Sequence, residues 1–110
     1  MTDQLQSLSE GRWKEMTLAE QLGNIGSEIS RAFNWKNKGR AEMSLRAVDR
    51  ALGLLDLSLA AGLPYPRLKE LSRAREVVAD YFYGENGYGS TEKNLRAYFD
   101  WFGVMARNRL

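Results

Sequence analysis

The chain has 110 residues, with 16 Lys and Arg against 14 Asp and Glu, and it contains neither cysteine nor histidine. Without cysteine there are no disulfides, thiolate nucleophiles or cysteine-ligated metal centres, and without histidine there is no Ser-His-Asp or Cys-His catalysis. The length suits a single domain, and no apolar run reaches the roughly 20 residues of a membrane span. The first residues do not have the layout of a secretory signal, so we expect a cytoplasmic protein.

The beginning of the chain differs in character from the rest. Residues 1–16 are polar with scattered apolar positions, and we expect a loosely held N-terminal arm before a helical domain of residues 17–110. Leu5, Leu8 and Trp13 of this arm can still dock on the domain. A helix is predicted from Thr17 to about residue 36, because Thr17 and Glu20 have the spacing of a capping box. Its apolar face consists of Leu18, Leu22, Ile25, Ile29 and Phe33.

Two further helices are predicted over about 40–61 and 66–83, separated by Gly62 and two prolines. The apolar positions of the second helix step by four and three residues, as in a heptad seam. That seam consists of Ala41, Leu45, Val48, Leu52, Leu55 and Leu59. The stripe of the third helix consists of Leu68, Leu71, Arg75, Val78 and Phe82.

A fourth helix is predicted over about 91–108, with Ser90 as its N-cap. Its apolar stripe consists of Leu95, Tyr98, Phe102 and Met105. No segment alternates with a period of two residues, so we predict an all-α protein. Short loops make consecutive helices antiparallel, and the pattern therefore indicates an up-down-up-down four-helix bundle.

Two charged residues stand in apolar surroundings. Asp56 lies within LGLLDLSL, and Arg75 lies within the stripe of the third helix. The middles of antiparallel helices lie at similar heights, so we predict that Asp56 and Arg75 form a buried ion pair, or that each pairs with another buried partner. A structural pair is favoured over an active-site acid with a shifted pKa, because a lone buried charge is costly and a paired one is tolerated.

Residues 31–50 carry six basic and two acidic side chains. Cations beside a tryptophan are typical of single-strand binders, and the candidate nucleic-acid contacts are Arg31, Trp35, Lys36, Lys38 and Arg40. The favoured interpretation is that Trp35 closes the end of the bundle and that the lysines are merely solvated. Glu28 lies three residues before Arg31, a spacing at which the two can pair within a helix.

Eight of the 12 aromatic residues lie between positions 81 and 102, more than two helices of one bundle interior need. We therefore expect Tyr83, Tyr88 and Trp101 to face a partner, preferably a second copy in a homodimer. Glycines also occur inside predicted helices, at Gly23, Gly26, Gly53 and Gly103. They indicate close helix packing, within the monomer or across a dimer, with approach to a ligand as the less favoured alternative.

Four stretches of the chain resemble a group of small uncharacterised prokaryotic four-helix-bundle proteins. They are GNIGSEISRAFNWKNKGR (23–40), RAVDRALGLLDLSL (46–59), LKELSRAREVVADYFYGENGYGST (68–91) and YFDWFGVMAR (98–107). The outline is also similar to HEPN-type bundles, which occur with nucleotidyltransferases or act as RNase toxins. Those RNases use an Arg-x4–6-His motif, and this chain has no histidine, so the resemblance implies the fold without that activity.

These observations favour a non-catalytic, oligomeric protein-interaction module. Carboxylate metal sites in bundles use Glu-x-x-His pairs, which this chain cannot form without histidine, so we expect no metal site. We also expect no cofactor and no catalytic residues. The alternative is a nucleic-acid-associated regulatory protein, such as a component of a toxin–antitoxin-like pair.

Overall fold

A computed structural model of the chain describes residues 11–107, without the side chains at positions 102, 103 and 105–107. A short helical segment at residues 11–15 precedes four helices. They are α1 (Leu18–Asn37), α2 (Ala41–Leu59), α3 (Tyr65–Tyr83) and α4 (Glu92–Arg107). No strand occurs between residues 11 and 107, and the all-α prediction is confirmed. None of these helices is both long and apolar enough to cross a membrane.

Local signals in the sequence set the ends of the helices. The Thr17 hydroxyl accepts from the Glu20 amide, and the Glu20 carboxylate accepts from the Thr17 amide, which completes the predicted capping box. The helix α2 ends shortly before Gly62, which has a φ of +83° that other residues rarely adopt.

The N-cap predicted for α4 is wrong by one residue. The Thr91 hydroxyl accepts from the Asn94 amide at 3.0 Å, so Thr91 is the cap. Ser90 belongs instead to the preceding loop, because its backbone amide donates to the Asn86 side chain and its carbonyl accepts from it. The helix therefore begins one residue later than predicted.

The four helices alternate in direction. Contacts between neighbouring helices join Ser44 to Ala32 and Ser58 to Gln21 (α2 and α1), Arg75 to Asp56 and Tyr83 to Asp49 (α3 and α2), and Arg96 to Asn34 and Glu92 to Asn37 (α4 and α1). Along each pair, residue numbers rise in one helix as they fall in the other, which confirms the up-down-up-down arrangement. The central helix is α1, which packs between α2 and α4, and α3 packs against α2.

The core is built on the predicted apolar face of α1, whose larger members Leu22, Ile25, Ile29 and Phe33 are buried. The seam predicted for α2 is partly wrong. Val48 and Leu55 are buried, but Ala41 is exposed and Leu45, Leu52 and Leu59 are only half-buried. The other buried residues of α2 are small: Ser44, Ala47, Ala51 and Ser58. Small side chains let the two backbones approach, and both serine hydroxyls form hydrogen bonds across the interface.

Trp13 joins the segment at residues 11–15 to this core. Its side chain is 3% exposed, and its Nε1 donates to the Ser58 hydroxyl at 2.9 Å. Ser58 in turn donates to Gln21 Oε1, and Gln21 Nε2 donates to the Trp13 carbonyl, which closes a ring of hydrogen bonds. Residues 11–15 therefore belong to the packed bundle, and the first ten residues of the predicted arm lie outside the described residues.

The helix α4 packs on α1 through Leu95 and Phe99, of which only Leu95 was in the predicted stripe. Tyr98 is half-buried, and the side chains of Phe102 and Met105 lie outside the description. A Cβ added to Gly26 would meet the Phe99 Cβ at 3.3 Å. At Gly26 the helical glycine thus allows α4 to approach α1 closely, as predicted for packing within the monomer.

Gly53 gives the opposite result, because a Cβ added there meets no atom within 4 Å. Close packing within the monomer is therefore wrong at Gly53, and at Gly23, where a Cβ also meets no atom within 4 Å. Packing of these glycines across a dimer stays a prediction, and the surroundings of Gly103 lie outside the description. A glycine inside a helix costs about 1 kcal/mol relative to alanine. Gly53→Ala should therefore raise the free energy of unfolding by about 0.5–1 kcal/mol in urea denaturation. Gly26→Ala is the control and should gain less or lose stability. A Gly53→Ala protein no more stable than the original would contradict this account.

Candidate functional site

The structure joins Asp56 and Arg75 in a two-point ion pair. The distance from Arg75 Nε to Asp56 Oδ1 is 2.5 Å, and that from Nη2 to Oδ2 is 3.2 Å. The hydrogen bond to the carboxylate raises the pKa of Arg75. The prediction that this pair is buried is wrong, since the side chains are 56% and 36% exposed. Leu55 takes the core position, and the next residue of a helix points about 100° away, toward solvent.

The acidic residue that the described part of the fold does bury is Glu28. One carboxylate oxygen contacts the Arg31 guanidinium on the same helix, and the other accepts from Arg50 Nε of α2 at 2.5 Å. The first contact agrees with the spacing of Glu28 and Arg31 in the sequence. Arg50 was missed, although its place follows from the antiparallel register of α1 and α2. With one negative and two positive charges, the cluster of Glu28, Arg31 and Arg50 has a net charge of +1.

The candidate nucleic-acid contacts separate into two groups. Arg31 belongs to the Glu28 cluster, whereas the others gather at the turn between α1 and α2. Lys36 Nζ lies 4.8 Å from the centre of the Tyr81 ring, and Lys38 Nζ lies 5.4 Å from that of Trp35. These are cation–π distances. Trp35 is half-buried and Arg40 is exposed.

We call Lys36, Lys38 and Arg40 the basic end. No carboxylate among the described side chains pairs with any of them. This end can attract an anion, but Lys38 lies over the ring of Trp35, where a nucleotide base would otherwise stack.

The three candidate interface aromatics are all exposed, yet two of them have polar partners within the chain. The Tyr83 hydroxyl donates to Asp49 Oδ1 at 2.5 Å, and this hydrogen bond raises the pKa of Tyr83 to about 12. The Tyr88 hydroxyl donates to Glu76 Oε2 at 2.9 Å, which also raises its pKa. These two tyrosines lie on or beside α3 and reach α2 and α3, whereas Trp101 lies on α4.

Trp101 belongs to an apolar strip on the outward side of α4. Its side chain is 66% exposed, and Val104 is 40% exposed. Ala97 is also exposed, and spacings of four and three residues place all three on one face. We call Ala97, Trp101 and Val104 the α4 strip. Of the strip, only Trp101 was predicted to face a partner, although the spacing of Val104 from it was a usable signal.

A groove of about 450 Å³ lies beside this strip, between α1 and α4. We call it the α1–α4 groove. Its lining includes the small residues Gly23, Ser27 and Ser30 on α1, with Arg31 on the same wall. Phe99 and Asp100 line the groove on the α4 side. The exposed lining is mainly polar, and it includes one positive and one negative side chain, Arg31 and Asp100.

Comparison of the chain with protein-family models, with curated proteins and with solved structures gives no match in any of the three. Within the described residues, no group of three or more acidic side chains is placed to hold a metal ion.

Proposed function

We propose that the protein is a non-catalytic, oligomeric helical-bundle module that binds another protein through the α4 strip. The observation that carries this proposal is Trp101, a tryptophan two-thirds exposed on a helix that packs regularly against α1. Exposed tryptophans dominate many protein interfaces, and contiguous apolar surface commonly marks an interaction site. We favour a homodimer as the assembly.

The charged clusters support a non-catalytic role. Asp56 with Arg75, and Glu28 with Arg31 and Arg50, each link a pair of neighbouring helices. Each carboxylate is matched by guanidinium groups, as expected of residues that fix the register of a bundle. Tyr83 and Tyr88 fit the rim of an interface better than its centre, because their hydroxyls are bonded within the chain.

Trp101→Ser should weaken self-association, because removing a central tryptophan costs roughly 2 kcal/mol or more, about a 30-fold rise in Kd. Light scattering should give the original protein a mass above that of one chain at tens of micromolar. The control is Tyr65→Ser, since Tyr65 is 72% exposed but begins α3 and lies outside the strip. This control should leave the mass unchanged. A strictly monomeric original protein would contradict the oligomeric form of the proposal.

A second candidate function, binding of nucleic acid, is favoured by one observation. The three cations of the basic end have no carboxylate partner among the described side chains, and they gather at a single turn. Such a cluster attracts phosphates through release of counterions. We rank this candidate second because the aromatic rings beside it are covered by lysines.

Lys36→Glu combined with Arg40→Glu should weaken binding of single-stranded RNA or DNA if the second candidate is correct. Each phosphate contact contributes about 0.7 to the slope of log K against log salt for a single strand, so the slope should fall by about 1.4. The control is Lys14→Glu with Lys69→Glu, which makes the same change in net charge at exposed positions elsewhere. Fluorescence anisotropy titrations measure the binding of both double variants. Absence of binding at low salt, or an equal loss in the control, would remove this candidate.

A further inference from the structure

We infer that the α1–α4 groove of one copy receives the α4 strip of a second copy, and that two such contacts about a two-fold axis form the dimer. This inference rests on the proposed function and deepens it, because it names both the partner and the surface that receives the strip. Three features support it: the strip lies beside the groove, the groove wall carries small side chains, and charged side chains lie at its border.

The groove and the strip share an edge. Asp100 lines the groove, and Trp101, the next residue of α4, faces outward. Val104 lies four residues after Asp100, one turn along the same side of the helix. A projecting strip next to a groove is self-complementary under a two-fold axis, since each copy offers the other both surfaces.

The wall that α1 contributes has room for a partner side chain. A Cβ added at Gly23 meets no atom within 4 Å, and Ser27 is exposed one turn further along. Phe99 lines the α4 side of the groove, although its side chain is only 3% exposed.

The charges at the border of the groove are complementary between copies. Arg31 is the member of the Glu28 cluster that lines the groove, and its side chain is 55% exposed. The net charge of that cluster is +1. Asp100 is exposed on the opposite wall, and no cation among the described side chains pairs with it. When α4 of one copy lies along the groove of the other, Asp100 is carried toward the partner's Arg31. A protein partner without this arrangement of charges would not gain the same contact.

The test fills the groove without touching the strip. Ser27→Trp places a bulky ring on the groove wall, and Gly53→Trp places the same ring at an open position of α2 as a control. Each variant alters both contacts of the dimer, so at about 30-fold per contact we expect Ser27→Trp and Trp101→Ser each to raise the dimer Kd by about 1,000-fold, and Gly53→Trp to leave it unchanged. Sedimentation velocity measures the Kd, and circular dichroism verifies that each variant is folded.

Mixing the two variants gives the sharper result. A Trp101→Ser chain keeps its groove and a Ser27→Trp chain keeps its strip, so an equimolar mixture should form a heterodimer through one intact contact. Neither variant alone should associate at the same concentration. A mixture that does not recover association overturns the inference.

A second variant keeps the inference testable if Ser27→Trp does not fold. Asp100→Lys brings two positive charges together in the dimer, so it should weaken association about tenfold at low salt and less at high salt. Glu85→Lys makes the same charge change in the loop before α4 and should have no effect. A dimer that needs Trp101 but tolerates both Ser27→Trp and Asp100→Lys overturns the groove while leaving the proposed function intact. A monomeric original protein overturns both.

Discussion

Trp13→Ala should lower the free energy of unfolding by about 3–5 kcal/mol, the usual cost of removing a buried tryptophan. The side chain is 3% exposed, so its truncation leaves a cavity where residues 11–15 meet the bundle. It also removes the donor to the Ser58 hydroxyl, although Ser58 keeps its hydrogen bond to Gln21. The effect is large because a segment close to the beginning of the chain contributes to the main core.

Urea denaturation followed by circular dichroism measures this change. Trp13→Phe should have an intermediate effect, because it keeps an aromatic ring and loses the indole N–H. Lys14→Ala, at the exposed next position, should change the free energy of unfolding by no more than about 0.5 kcal/mol. If Trp13→Ala changed it as little as Lys14→Ala, residues 11–15 would not be part of the folded core.

The helices and their directions could be predicted because their signals are local. The capping box of Thr17 and Glu20 and the glycine at position 62 act within a few residues of themselves. Short connections then allow little choice but antiparallel neighbours. The helical period also predicted the buried face of α1, because its large apolar residues recur every three or four positions.

The buried face of α2 could not be predicted as well, because it depends on the distance between two helices. The heptad seam ranked positions by apolar size, whereas close approach of α1 and α2 selects small residues such as Ser44 and Ala47. The burial of Asp56 was predicted wrongly because that prediction rested on the apolar run around it. An apolar run shows that a helix is largely covered, but it does not show which of its positions faces the remaining gap.

The candidate site could likewise be predicted only in part. Trp101 was predicted to face outward because the chain has more aromatics than the interior needs, and its exposure is a finding of the structure. The hydroxyl partners of Tyr83 and Tyr88, in contrast, come from side-chain reach across turns and neighbouring helices. The groove could not be predicted, because it depends on the axial position of α4 along α1, which Gly26 and Phe99 set together.

The difference between the two ion-pair clusters leads to the second large prediction. Glu28→Gln should lower the free energy of unfolding by about 1–3 kcal/mol, since hydrogen bonds to charged groups are worth roughly 1.5–3 kcal/mol and two arginines lose their carboxylate. The side chains of Arg31 and Arg50 are 55% and 38% exposed, so water offsets part of the loss. The cost therefore stays below the roughly 3–5 kcal/mol of a fully buried broken pair.

Asp56→Asn is the matched control, because it also neutralises a carboxylate that links neighbouring helices, but at an exposed position. An exposed pair contributes about 0.2–1 kcal/mol and is screened by salt. Urea denaturation at low and high salt should therefore show a smaller loss for Asp56→Asn, which nearly disappears at high salt, and a larger loss for Glu28→Gln, which persists. Equal losses at both salt concentrations would mean that burial of Glu28 does not set the strength of its contacts. The ordering matters for the proposed dimer as well, because a firmly held Glu28 keeps Arg31 at the wall of the groove, where the proposal places the Asp100 of a second copy.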